Sequence, residues 1–110
     1  MSQNKPDLLP GTLDMLILHT LADEAVHGYA IAQKIRSVTN EVLEIEQGSL
    51  YPALYRMERK GWIKSKWGVT DTKRRAKFYQ VTRAGRRHLE QEQSTWNSFV
   101  DAVSRVMGRA

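Results

Sequence analysis

Cysteine is absent from the 110 residues, which excludes disulfides, thiolate metal sites and cysteine nucleophiles and is compatible with a reducing compartment. Long hydrophobic runs are missing as well. The most apolar stretch, Leu13 to Leu21, is interrupted by Asp14, His19 and Thr20 and falls well short of a membrane span. The opening MSQNKPD does not resemble a signal peptide, so a cytoplasmic location without membrane partners is expected. Histidine is scarce: His19, His27 and His88 stand apart, with no pair four residues apart on a helix. Neither a nucleophile elbow nor a phosphate-binding glycine loop is present. These absences argue against an enzyme, a metal site and a cofactor.

What remains is an ordinary folding composition, 41% hydrophobic and 26% charged, enough for one compact domain with an appendage and no second core. The net charge of +5 hides a strong segregation. Residues 1–55 carry 3 Lys and Arg against 7 Asp and Glu, residues 56–88 carry 12 against 2, and residues 89–110 carry 2 against 3. A block of +10 in the middle of the chain is either a solvated basic face or the footprint of a polyanion.

The pattern along the chain divides it into three parts. Residues 1–9 read as a loose arm, residues 10–82 as the folded domain and residues 83–110 as a long terminal helix. Pro10-Gly11-Thr12 starts a first helix with Leu13, Leu16, Ile17 and Leu21 at helical spacing. An acidic connection, Asp23 to Gly28, leads to a second helix with Ala30, Ile31, Ile35 and Val38 on one stripe, ending near Thr39-Asn40. EVLEIEQ then allows a short extended stub. In GSLYPALYRMERKGW, Gly48 to Trp62, Leu50, Leu54 and Met57 form one helical face. Ser49 is the expected N-cap, with Pro52 in the first turn and Gly61 as the stop. From Trp62 the period becomes two; Ile63, Ser65 and Trp67 oppose Trp62, Lys64 and Lys66, and AKFYQVT answers as the second strand of a hairpin with a polar tip, Gly68 to Arg75.

Three helices, a hairpin and a long helix give the expected fold: mainly α with a small β-hairpin, a winged helix-turn-helix followed by a C-terminal dimerisation helix. In such folds the third helix enters a DNA major groove and cations hold the backbone. Candidate DNA-binding residues are Ser49, Tyr51, Pro52, Tyr55, Arg56 and Arg59 on the recognition helix, with Lys73, Arg74, Arg75 and Lys77 in the wing. The alternatives are that the tyrosines lie against neighbouring elements and the arginines pair with Glu58 or solvent. A winged-helix module for RNA or protein contact, without operator specificity, is the competing function.

HGYAIAQKI (His27 to Ile35), GSLYPALYRMERKGWIKSKW (Gly48 to Trp67) and RRAKFYQVTRAGRRHL (Arg74 to Leu89) together resemble the PadR family of transcriptional regulators, over nearly the whole chain. The resemblance implies a dimeric winged-helix repressor, with Tyr51 and its neighbours and Arg74, Arg75 and Lys77 facing double-stranded DNA. The length resembles the subfamily with a single C-terminal helix. One departure is the wing tip VTDTK, which lacks the glycine often found there.

The terminal helix points to a homodimer independently of family. Leu89, Trp96 and Val103 recur every seven residues, as do Glu92, Phe99 and Val106, with Val100 and Met107 widening the seam. The expected dimer interface is therefore Leu89, Trp96, Phe99, Val103 and Val106, with the first helix contributing. The alternative is a helix folded back on its own domain. From the resemblance, Trp96 is also the candidate lining of a pocket for a small aromatic or hydrophobic effector; the other reading of Trp96 is simple seam contact.

Overall fold

The computed structural model describes Leu8 and residues 11–108; apart from Leu8, the expected loose arm of residues 1–9 lies outside them. The element order is α1 (Thr12–Thr20), β1 (Val26–His27), α2 (Gly28–Val38), α3 (Gln47–Arg59), β2 (Ile63–Val69), β3 (Arg75–Val81) and α4 (Arg83–Val106). The helices α1, α2 and α3 surround a core in which Ile17, Leu18, Leu21, Ile31, Leu50, Leu54, Met57 and Ile63 lose nearly all solvent contact. The sheet closes one side, and Val26, Tyr79 and Val81 complete the core from it.

The stripe of α1 is rotated from its expected position. Asp14, Met15, Ile17 and Leu18 are its buried residues, whereas Leu13 and Leu16 are only partly buried against the core. An aspartate thus occupies an inward position, where it meets Arg56 of α3.

The expected hairpin is present, but a third strand joins it. β1 pairs antiparallel with β3 through Val26 with Tyr79 and His27 with Phe78, in the sheet order β1-β3-β2. Two residues are too few to show a period, so the connection from Asp23 to Gly28 gave no strand signal. The extended stub expected in EVLEIEQ does not pair; residues 43–46 are irregular, with Leu43 and Ile45 partly buried against the core. The strands of the hairpin also run further than expected, from Ile63 to Val69 and from Arg75 to Val81.

Helix α3 begins earlier than its sequence suggests. Its N-cap is Glu46, in extended conformation and without a side-chain capping bond. The backbone N–H groups of Ser49 and Leu50 both donate to the Glu46 carbonyl, at 2.9 Å each. Ser49 is therefore inside the first turn rather than capping it, and Pro52 lies one turn deeper. The proline's missing N–H leaves the Gly48 carbonyl without its helical donor.

α4 is capped as a motif. The Thr82 side chain accepts from the Gly85 N–H at 3.0 Å and donates to the Gly61 carbonyl at 2.6 Å, while the Thr82 N–H donates to the Trp62 carbonyl at 2.9 Å. Gly85 is required there because a Cβ would stand 2.0 Å from the Trp62 carbonyl oxygen. One threonine and one glycine thus fasten the long helix to the end of α3 and the start of β2.

Candidate nucleic-acid interface

Helix α3 turns Leu50, Ala53, Leu54 and Met57 inward and leaves Ser49, Tyr51, Pro52, Tyr55, Arg56 and Arg59 on the exposed side. Within that set the side chains have different commitments. Tyr55 is the most open aromatic, 66% exposed, with the Arg59 guanidinium 5.8 Å from its ring centroid. Tyr51 is 43% exposed and rests over Gly28, where an added Cβ would come within 2.8 Å of the ring.

Arg56 departs from the expected DNA-facing group. Its guanidinium donates to both carboxylate oxygens of Asp14, at 2.7 and 2.8 Å. This is the fork geometry in which arginine binds carboxylate strongly. The Asp14 hydrogen bond holds the guanidinium above its ordinary pKa, with burial opposing. Pairing with Glu58 or solvent is the alternative for the arginines; Glu58 accepts from the Ser65 hydroxyl at 2.7 Å and ties α3 to β2. Asp14 was missed in the sequence, although its spacing with Ile17, Leu18 and Leu21 places it on the inward stripe of α1.

The wing carries its cations at and behind a three-residue turn. The Thr70 N–H donates to the Arg74 carbonyl and the Lys73 N–H to the Thr70 carbonyl, at 2.8 Å each. Lys73 adopts a left-handed φ of 65°, the conformation that a three-residue hairpin loop normally assigns to glycine. The glycine missing from VTDTK is thus replaced by a strained lysine. Lys73, Arg74 and Arg75 are exposed and Lys77 is half-buried. The Arg75 guanidinium lies 4.9 Å from the ring centroid of Trp67. In the β2–β3 register Trp67 faces Lys77 and Val69 faces Arg75, so cations and an exposed tryptophan share one face of the wing.

Helix α4 presents the apolar seam. Leu89 does not belong to it: at 7% exposure it lies in the protomer's own core. The seven-residue period cannot distinguish a residue in the protomer's core from one two turns further along the same face. Trp96, Phe99, Val100, Val103, Val106 and Met107 are all exposed, and Trp96 and Phe99 touch at a centroid distance of 6.1 Å. Trp96 borders two shallow grooves against α1, one with Gly11, Thr12 and Met15, the other with Leu16, His19 and Gln93. The α4 helix of 24 residues is about 36 Å long. Among the described residues no helix is long and apolar enough to cross a membrane.

Comparison with known proteins matches residues 17–91 to the transcriptional regulator PadR-like family. A transcriptional regulator of Mycobacterium tuberculosis is 36% identical over 76 residues, covering 69% of this chain and 67% of its own. A solved transcriptional regulator from Clostridium thermocellum superposes with a TM-score of 0.77 at 32% identity, over 84% of this chain and 90% of that one. A PadR family transcription regulator from Clostridium difficile gives 0.73 at 31% identity, over 88% and 98%.

Proposed function

We propose that this chain, which belongs to the PadR-like family of transcriptional regulators, is a homodimeric repressor that binds an inverted-repeat operator and is released by a small hydrophobic effector. DNA-binding regulation of transcription is the work of the family, and it is not enzymatic. The finer reading rests on one observation: the seam of Trp96, Phe99, Val100, Val103, Val106 and Met107 lies uncovered on a helix that runs past its own domain. A second copy would bury that seam, each copy's α4 lying along the other and touching α1.

In this reading residues 10–82 form the DNA-binding unit and residues 83–110 the dimerising segment, in the cytoplasm. A two-fold dimer offers two α3 helices; a separation of about 34 Å would match successive major grooves. Ser49, Tyr51, Pro52, Tyr55 and Arg59 then face base edges and phosphates, while Lys73, Arg74, Arg75 and Lys77 hold the flanking backbone. Arg56 serves the fold through Asp14. Trp96, between its two grooves, offers an aromatic surface on which a flat effector can stack.

Sedimentation equilibrium tests the dimer. The wild-type chain should sediment as two copies, and Phe99→Glu with Val103→Glu should sediment as one while keeping its helical circular dichroism. A wild-type monomer at tens of micromolar would overturn the reading.

A further inference from the structure

Among the described residues, one wide concavity is lined by no residue of α3 or α4. It is a trough between the start of α2 and the wing, bounded by Tyr29 and Gln33 on one side and Thr70, Thr72, Arg74 and Arg75 on the other. Its origin is the brevity of β1. That strand covers β3 only at Phe78 and Tyr79; the chain then turns into α2, so the outer part of β3 stands apart from the helix.

Tyr29 and Gln33 are four residues apart on α2 and so share one helical flank. Both are exposed, and neither belongs to the core, which takes Gly28, Ile31 and Ile35 from this helix. The lining holds two guanidinium groups, a carboxamide, the Tyr29 hydroxyl and the hydroxyls of Thr70 and Thr72, which share one hydrogen bond at 3.1 Å; the guanidinium, carboxamide and phenol groups suit phosphate oxygens. Asp71 is the one acid in the lining, and His27 and Ala76 complete it. Tyr51 of α3 covers Gly28, the residue immediately before Tyr29, so the recognition helix contacts the start of α2 next to the trough.

We infer that this trough seats backbone phosphates of the DNA on which α3 is docked, with Tyr29 and Gln33 as neutral donors opposite Arg74 and Arg75. The inference rests on the operator-binding reading and extends it to residues of α2. The seat would clamp the strand between helix and wing, fixing the wing's cations relative to α3 and so the register of the domain on the duplex.

The test uses the full chain and a duplex selected by the wild-type protein, compared with a scrambled duplex across a salt titration. Tyr29→Phe and Gln33→Ala should each weaken operator binding about ten-fold or more, the loss of a hydrogen bond to a charged group, with the salt slope unchanged because no charge is removed. Gln33→Lys should tighten binding and steepen the log–log slope by about 0.9 per protomer, one further phosphate neutralised. Gln33 is exposed, so the lysine is accommodated without loss of folding. If wild type prefers the operator but all three variants match it in affinity and slope, the trough is not a phosphate seat and the operator reading stands. If wild type shows no preference for any duplex, the operator reading itself fails, and this inference with it.

Discussion

Asp14 and Arg56, 42 residues apart in sequence, meet in a two-pronged ion pair that joins α1 to α3. The Asp14 side chain is 11% exposed and that of Arg56 46%, so removing the arginine leaves a carboxylate buried without its partner. The half-exposed guanidinium tempers the cost through solvent screening. Arg56→Met should destabilise by about 1–3 kcal/mol in urea titration. Because Arg56 is occupied by Asp14, Arg56→Met should leave the salt slope of DNA binding unchanged. A slope flattened by one phosphate would show that Arg56 leaves Asp14 for the duplex.

Thr82 and Gly85 make the second joint. Gly85→Ala places a methyl against the Trp62 carbonyl and should cost about 3 kcal/mol, since neither backbone can give way freely. Thr82→Val loses the cap and should cost about 1 kcal/mol, a fall of about 4–8 °C in melting temperature. Thr82→Ser should restore most of it. Protein concentration must be held constant, since association of the chain would itself shift the melting temperature.

At the wing tip, stability and binding should part company. Lys73 holds a left-handed backbone, so Lys73→Gly should stabilise the fold by up to about 1 kcal/mol. The same change removes a cation and should weaken DNA binding with a flatter salt slope. Arg74→Ala with Arg75→Ala should flatten the slope further, by about 0.9 for each phosphate lost. Thermal melts and salt titrations on the same preparations read both effects.

Tyr79 supplies a pH dependence. Burial first, then the charges of Glu58 and Tyr51, raise its pKa above the usual value of 10.0. The neutral phenol is thus favoured in the folded state. Its contribution is complete below the unfolded pKa and is lost as pH rises through the folded one. Stability attributable to Tyr79 should be flat from neutrality to about pH 9 and decline above about pH 10. Tyr79→Phe should lessen that decline, measured as the urea midpoint against pH.

The helices were legible because each carries an apolar stripe over several turns, and the hairpin because Ile63, Ser65 and Trp67 keep a period of two. Contacts between distant residues left no such trace. In the sequence Asp14 is only a break in an apolar run; in the fold Arg56 stands opposite it. Ser49 has the chemistry of an N-cap, yet the extended backbone at Glu46 starts α3 two residues earlier than Ser49 itself. Leu89 shares its period with Trp96, and only the position of α1 separates core from seam. Tyr29 and Gln33 stand in HGYAIAQKI, but nothing in that stretch pointed to the wing; their proximity to Arg74 and Arg75 follows from β1 ending after two residues.

Whether a dimer reads two half-sites is tested most directly by a footprint on a duplex selected from random sequence. The expected result is protection of an inverted repeat whose half-sites lie about 10 base pairs apart, centre to centre, with two chains per duplex and loss of the pattern on scrambling either half. Protection of a single half-site by one chain, or uniform protection independent of sequence, would contradict it.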